Sequence, residues 1–368
     1  MRSRPSSERT TFSPSGSQAK ATSWVVTRRE FTGVSARPQA PWCSARAGSG
    51  PACSSRVPAL VKIGISAWTE PTLVSSGFYP PSARTAEARL RHYASRFPIV
   101  EVDSTHYALL AERNAELWSE RTPEGFTMNV KAVAPLSEHY IEPRGLPKDM
   151  REALPREIRE KKRIYPQDLG DAFLDELAGR FVSALRPLQA SGKLGLVLFQ
   201  YPVWFTFSPA SLRRLARTRV LFRDHRLAVE LRNAGWLGER HRDEALAFFR
   251  EQGLVYTCVD EPQGFASSVP PIAEATADLA LVRFHGRNAQ TWEAKSPTAA
   301  LRFAYEYDTA ELASWVPKIV GLSRKTREVH VIMNNCYRDW AVRSAVDLTD
   351  LVRRAGARVA GPRAPLAA

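Results

Sequence analysis

The stretch Arg226-Leu227-Ala228-Val229-Glu230-Leu231-Arg232 is a short apolar run that ends on charged side chains. Helix-like stretches separate most runs of this kind, and strands alternating with helices predict a parallel sheet. Eight such units predict an α/β fold, a single (β/α)8 TIM barrel, whose chemistry lies at the carboxyl ends of the strands. Besides 226–232, the runs that close on a polar or charged residue are 61–66, 98–103, 126–131, 194–200, 254–260, 278–285 and 328–335.

Helices are predicted between these runs from the spacing of apolar residues. Leu90, Tyr93, Ala94 and Phe97 recur at helical spacing and therefore share one helix face. The segment 261–277 is rich in proline and predicts a loop instead of a helix. The predicted helices are 84–96, 113–121, 171–190, 209–217, 241–252, 309–323 and 338–354.

Composition divides the 368-residue chain into a short extension, a barrel and a tail. Residues 1–58 are rich in Ser, Arg, Pro and Gly, a composition that buries too little apolar area to become ordered. We expect a disordered basic extension there, or a start site assigned too early. The barrel domain is predicted over 59–357 and a flexible tail over 358–368. Half of the net charge of +14 lies in residues 1–60, so the barrel itself is only modestly basic.

Several classes of protein are disfavoured by what the sequence lacks. No apolar stretch approaches the roughly 18 residues that a membrane-spanning helix needs. The four cysteines form no C-x-x-C pair, which fits a reducing compartment, so we predict a soluble cytoplasmic protein. The glycine-rich signatures of phosphate-binding and dinucleotide-binding loops and the G-x-S-x-G nucleophile motif are absent.

The strand-end residues are the candidates for function. Because side chains alternate across a strand, Glu230 and Arg232 share a face, as do Arg283 and His285. We therefore expect these groups to converge at the mouth of the barrel. The strand ends carry Ser66, Asp103, Lys131, Gln200, Glu230, Arg232, Asp260, Arg283, His285 and Asn334.

These residues suggest general acid–base chemistry on a small anionic or sugar-like substrate, of phosphosugar or nucleotide type. Glu230 is a candidate base or acid and His285 its partner in proton transfer. The other catalytic candidate is Asp103. The predicted substrate-binding or anion-binding residues are Lys131, Arg232, Arg283, Gln200, Asn334, Asn335 and Trp68.

Two of these assignments have a structural alternative. Glu230 and Arg232 could equally form an ion pair that supports the top of their strand. Arg283 is predicted to contact a bound sulfate or phosphate within reach of Arg232, but it could instead be paired with Glu230 or Asp260. Whether the barrel is catalytic at all is therefore open.

The same residues also allow other partners and cofactors. We predict no cofactor, and the sequence has no local metal-binding motif. Acidic and histidine side chains from several strand ends could still bind one divalent metal ion together. The candidate ligands are Asp103, His139, Glu230, Asp260 and His285. The basic extension, the segment 151–163 and aromatic residues near the loops leave nucleic-acid binding as an alternative. A non-catalytic barrel that binds a partner is the third possibility.

Several motifs together resemble the domain of unknown function 72 family, also called YecE-like. They are IGISAW at 63–68, FYPP at 78–81, YASRF at 93–97, VEVDSTHY at 100–107, TPEGF at 122–126, VKA at 130–132, LFQYP at 198–202, AVELR at 228–232 and VRFHGR at 282–287, with Trp118, Trp236, Asn334 and Asn335. The resemblance covers about 61–355 in order and implies a TIM barrel whose activity is not established. A distant likeness to the endonuclease-IV and xylose-isomerase type of barrel implies nucleic-acid or sugar chemistry by analogy only. Asp103 and His106 depart from the family pattern, which usually has Asn and Phe there.

Overall fold

The computed structural model describes residues 58–294 and 299–361. These described residues belong to one compact unit. Most of the predicted extension (1–57) and the end of the predicted tail (362–368) lie outside the described residues. Within the described ranges, no helix has the length and apolar character needed to cross a membrane.

Eight parallel strands form a closed barrel in which each strand pairs with the next and β8 pairs with β1. All eight predicted strands are confirmed, each to within two residues at either end. Strand after strand, the apolar residues are buried on both faces, as expected where helices cover the outside of a parallel sheet. The strands are β1 (Leu60–Ser66), β2 (Ile99–Val102), β3 (Thr127–Lys131), β4 (Leu194–Tyr201), β5 (Leu227–Leu231), β6 (Val255–Asp260), β7 (Leu279–Phe284) and β8 (Glu328–Met333).

Helices surround this barrel. They are α1 (Pro71–Ser75), α2 (Ala86–Ala94), α3 (Glu112–Glu120), α4 (Lys148–Glu152), α5 (Arg156–Arg159), α6 (Pro166–Ala184), α7 (Arg186–Ala190), α8 (Pro209–Leu221), α9 (Arg242–Gln252), α10 (Ala299–Arg302), α11 (Thr309–Lys325) and α12 (Trp340–Arg354). Short 3-10 turns follow the ends of several strands: Ser104–His106, Ala134–Ser137, Pro143–Gly145 and Ala234–Trp236.

The predicted helices are present, with one difference. The stretch 171–190 forms two helices instead of one, α6 and α7, which meet at Leu185. Pro187 lies in the first turn of α7, where a backbone N–H has no helical partner and its absence costs no hydrogen bond. In the middle of one long helix, Pro187 would remove a backbone hydrogen bond and interrupt the helix. The segment 261–277 contains no helix, as predicted.

Inside the barrel, layers of polar and apolar side chains alternate along the barrel axis. A small apolar cluster lies inside the barrel and is separate from the large core between strands and helices; its buried members are Ile99, Leu196, Leu198, Ala228, Val255, Leu279, Leu281 and Ile332. Below it, at the amino ends of the strands, Lys62 donates to Thr127 and Glu328 at 2.9 and 3.0 Å. The polar groups above it form the mouth of the barrel, by which we mean the carboxyl ends of the strands and the loops that follow them.

Backbone pairs hold two segments that lie outside the strands. The long segment after β3 is closed at its base by an antiparallel bridge between Ile141 and Ile164. At the other end of the barrel, the backbone of Arg358 and Ala360 hydrogen-bonds to Val61 in β1, each bond at 2.8 Å. The first residues of the predicted C-terminal tail are therefore paired with the sheet.

Candidate functional site

Arg283, on β7, lies at the centre of the polar groups in the mouth and is only 1% exposed. Its Nη1 donates to Glu230 Oε2 and its Nη2 to Glu101 Oε1, both at 2.5 Å. We expected Arg283 to hold an anion; in the structure both ends of its guanidinium are paired with buried carboxylates, and the anion-binding role stays a prediction. The structural alternative, a pairing with Glu230, is the arrangement present, with Glu101 instead of Asp260 as the second partner.

Glu230, on β5, accepts hydrogen bonds at both of its carboxylate oxygens. Arg283 donates to Oε2 and Gln200 Nε2 to Oε1, the latter at 2.6 Å, and two more nitrogens lie near Oε1: Arg232 Nε at 2.7 Å and His285 Nε2 at 3.1 Å. Burial alone would raise the pKa of Glu230, but the opposing charges, that of Arg283 first, hold it well below its usual range. The cations around Glu230 therefore favour its ionised form, which holds these neighbours in place.

His285 is fully enclosed beside Glu230. The Asn334 amide Nδ2 donates to His285 Nδ1 at 2.9 Å, while His285 Nε2 lies 3.3 Å from Arg232 Nη2 and 3.1 Å from Glu230 Oε1. Burial lowers the pKa of His285 to about 3, and the charge of Arg232 contributes to this shift. These contacts do not favour the acid–base roles that the sequence suggested for Glu230 and His285, since one stays ionised and the other neutral; their part in any reaction stays a prediction.

Arg232, on the same face of β5, connects this network to the loop after β6. Its Nη1 donates to Glu261 Oε2 at 2.9 Å, and its guanidinium lies 4.8 Å from the centre of the Trp292 ring. Burial raises the pKa of Glu261 to about 8, with the Glu230 carboxylate adding to the rise and Arg232 opposing it. Sequence reasoning missed Glu261, although it follows Thr257 and Val259 at the two-residue spacing of one strand face.

Asp103 and Lys131 form the part of the mouth that keeps contact with solvent. Lys131 Nζ lies 2.9 Å from Asp103 Oδ1, and the side chains are 8% and 25% exposed respectively. Burial would raise the pKa of Asp103, yet the ammonium of Lys131 holds it below its usual range. The structure thus brings together one ionised carboxylate and one cation that a ligand at the mouth could reach.

Glu101 lies one step deeper than Asp103 on the same face of β2. It is fully buried, and its Oε2 has no hydrogen-bond partner among the described residues. Burial raises the pKa of Glu101 even though Arg283 opposes the rise. No role was predicted for Glu101, because the pairing that distinguishes its two oxygens comes from β7, 182 residues later.

The remaining strand-end residues have other environments. Asp260 does not belong to the mouth, a correction to the predicted ring: it faces α11 and accepts hydrogen bonds from Arg287, Tyr307 and Trp315. Asn335 donates to the Tyr305 carbonyl at 2.9 Å.

Trp68 follows Ala67, which has a left-handed backbone (φ +60°). The Trp68 indole N–H is buried without a partner among the described residues, and the ring packs edge-on against Trp118. Nothing in the structure places Trp68 against the charged groups of the mouth.

A metal centre is not arranged among the described residues, where no group of three or more His, Cys, Asp or Glu side chains has metal-binding geometry. The acidic residues proposed for that role are held by cations instead, as Asp103 is by Lys131. The basic segment 151–163 is likewise partly neutralised: Arg156 pairs with Glu160 and Lys161 with Asp168, each at 2.6 Å.

Comparison with known proteins gives consistent results. The family described as "Protein of unknown function DUF72" matches residues 62–367. The UPF0759 protein YunF of Bacillus subtilis (strain 168) is 31% identical over 280 residues, covering 75% of this chain and 89% of YunF. The DUF72 family protein EF0366 of Enterococcus faecalis V583 has a similar solved structure, with a TM-score of 0.65, 25% identity, and coverage of 80% of this chain and 96% of that protein. For the DUF72 family protein TM1631 of Thermotoga maritima MSB8 the TM-score is 0.63, the identity 26% and the coverage 80% and 99%.

Proposed function

This chain belongs to the DUF72 family, and from the geometry of its barrel mouth we propose that it is an enzyme acting on a small anionic or sugar-like substrate by general acid–base chemistry. The substrate class is that of a phosphosugar or nucleotide, a molecule with hydroxyl groups and an oxygen-rich head. The reaction takes place at Asp103 and Lys131, above the buried network of Arg283.

The observation that carries this proposal is the contrast between the two carboxyl groups of β2. Asp103 has a lowered pKa beside Lys131, and Glu101 has a raised pKa and an unpaired oxygen. Two neighbouring carboxyls whose environments push their pKa values apart are the usual arrangement of a base and an acid. Asp103 accepts a proton from a substrate hydroxyl, while Glu101, one step deeper on the same face, is the carboxyl of the two that takes up a proton more readily.

Lys131 supplies the contact to the substrate's oxygen atoms. An ammonium group has three N–H donors, and Asp103 takes one of them. In the part of the chain that the structure describes, no other ion pair involves Lys131, so donors remain for a hydroxyl, carboxylate or phosphate oxygen of the ligand. Arg232, 14% exposed, lies across the mouth as a second cation.

Glu230, Arg283 and His285 then serve as the floor of the site. Each of their polar contacts is internal, so they fix the strand ends instead of touching the substrate. A floor of paired, rigid side chains keeps the groups above it in position, which is the contribution that supporting residues make to catalysis.

The test is a substrate screen with purified protein, in which phosphosugars, nucleotides and free sugars are assayed for turnover and for a thermal shift, since a ligand that binds the native state raises its unfolding temperature. We expect turnover within one of these classes. Asp103→Asn should lower kcat about 100-fold or more, the usual loss when a general base is removed. Glu101→Gln should flatten the pH dependence of kcat without a matching change in KM.

Lys161→Met is the matched control, because it removes the lysine of an exposed Lys–Asp pair with a distance of 2.6 Å. Lys131→Met should weaken binding of the identified substrate, whereas Lys161→Met should leave binding and turnover unchanged. Full activity of a folded Asp103→Asn protein would refute the assignment, and binding of ligands with no turnover of any class would refute the proposed catalysis.

A further inference from the structure

Four rings form a continuous row along the rim of the mouth. Successive ring centres are 5.4 Å apart from Tyr107 to His106, 5.0 Å from His106 to His139 and 6.0 Å from His139 to Trp204. The rings come from the loops after β2, β3 and β4, which are neighbouring strands. We call these four residues the ring row. Its two ends are exposed, Tyr107 at 63% and Trp204 at 59%, which is unusual for such large apolar side chains.

The inner rings of the row are fixed by the backbone. His106 Nδ1 donates to the Ala132 carbonyl at 3.1 Å. His139 follows Glu138, whose backbone is left-handed (φ +66°), an uncommon conformation for a residue with a side chain. The Glu138 carboxylate in turn accepts from Arg214 at 2.6 Å. A row that is held in place before a ligand arrives loses little conformational entropy on binding.

The ring row carries no charge near neutral pH. Burial lowers the pKa of His106 to about 3 and that of His139 to about 4, and the charge of Lys131 contributes to both shifts. Two of the cations near the row have carboxylate partners: Lys131 has Asp103 and Arg214 has Glu138. A polyphosphate chain would have to compete with these carboxylates, so the surface suits a neutral ligand better than a polyanion.

The row leads directly into the proposed site. Asp103 precedes the 3-10 turn Ser104–His106 that supports the first two rings. A sugar hydroxyl can donate to Asp103 and accept from Lys131 at the same time, since it has one donor and two acceptor positions. The apolar faces of sugar rings pack against aromatic side chains. The exposed Trp204 and Tyr107 offer such surfaces at the two ends of the row.

We propose that the exposed ends of the ring row, Tyr107 and Trp204, bind rings of a neutral oligosaccharide, with the Asp103–Lys131 pair holding a hydroxyl of one of them. This inference rests on the proposed function for the roles of Asp103 and Lys131 and deepens it, because it selects the sugar-like class at that site and extends it to a chain of several sugar rings. Trp204 and Tyr107 act as binding residues outside the proton-transfer step.

The test is isothermal titration calorimetry with full-length protein and neutral oligosaccharides of one to six hexose or pentose units. We expect affinity to rise with chain length. Trp204→Ala should weaken binding of the longer chains about tenfold, within the range of one lost stacking contact, and leave monosaccharide binding unchanged. Val220→Ala is the control, since Val220 is an equally exposed apolar residue, 65% exposed, on α8.

Each outcome separates this inference from the proposed function. Length-dependent binding that Trp204→Ala weakens supports the inference even if no turnover follows, in which case only the catalytic proposal fails. Turnover of a small phosphosugar with no oligosaccharide binding overturns the inference and leaves the catalytic proposal standing. Salt-sensitive binding of single-stranded oligothymidylate that requires Trp204, with no oligosaccharide binding, also overturns it, because the row would then be a nucleic-acid surface.

Discussion

Arg283 shows most clearly how a single residue supports the site. Arg283→Met would leave Glu101 and Glu230 buried without their shared cation, and breaking a buried pair in this way costs about 3–5 kcal/mol. We expect the free energy of unfolding, measured by urea denaturation, to fall by this amount.

Arg343→Met is the matched control for this prediction. Arg343 pairs with Glu306 at the same distance of 2.5 Å, but both side chains are half exposed. Its loss should cost at most about 1 kcal/mol. Equal losses in the two variants would show that the Arg283 network does not stabilise the barrel.

The same residues show what a sequence can and cannot predict about a site. Alternation along each strand correctly placed Glu230, Arg232 and His285 together at the mouth. It could not tell which cation would pair with which carboxylate, because the partners are far apart in the chain and several pairings satisfy the same pattern. Asp260 shows the remaining error: as the last residue of β6 it could face either side, and its contact with Trp315 turns it outward.

At the scale of elements, the strands were the most predictable part. Each is a short apolar run bounded by polar residues, and burial on both faces requires that composition. The split between α6 and α7 was not predicted because the apolar spacing continues through 171–190 and only the proline signals the break.

Gly64 in β1 gives a prediction at this scale. A Cβ on Gly64 would lie 2.1 Å from the Ile99 carbonyl oxygen of β2, so Gly64→Ala must push the two strands apart. We expect a loss of about 1–3 kcal/mol in the free energy of unfolding, as for other overpacked positions.

Gly179→Ala in α6 is the contrasting change, since no atom lies within 4 Å of its Cβ position. It should stabilise the protein by about 0.5–1 kcal/mol. Gly64→Ala at wild-type stability would contradict this account of β1–β2 packing.

The whole molecule should be sensitive to acid. Burial lowers the pKa of His106 and His285 to about 3 and of His139 to about 4, whereas unfolded histidine titrates near 6.5. Below about pH 6.5 the unfolded chain therefore binds more protons than the native protein, and stability falls as the pH falls towards 3. Each histidine contributes up to about 1.4 kcal/mol per pH unit in this window.

Urea denaturation at pH values from 7 to 4 measures this dependence. His285→Gln should reduce the slope of the unfolding free energy against pH by the equivalent of about one bound proton.

Glu261 acts in the opposite direction at higher pH. Its folded pKa of about 8 means that native protein retains a proton that the unfolded chain has lost, so stability decreases as the pH rises from about 4.5 to 8. Glu261→Gln should remove that decrease. An unfolding midpoint that stays constant or rises between pH 6.5 and 4 would contradict the histidine assignment.

The pairing of Arg358 and Ala360 with Val61 determines how the protein can be attached to a surface. Val61 lies near the beginning of β1, at the end of the barrel opposite the mouth. A biosensor linkage placed at Gly361 would therefore anchor the molecule by its closed end and leave the mouth and the ring row turned towards the flowing solution. Oligosaccharide binding could then be recorded without the support blocking access to the rim.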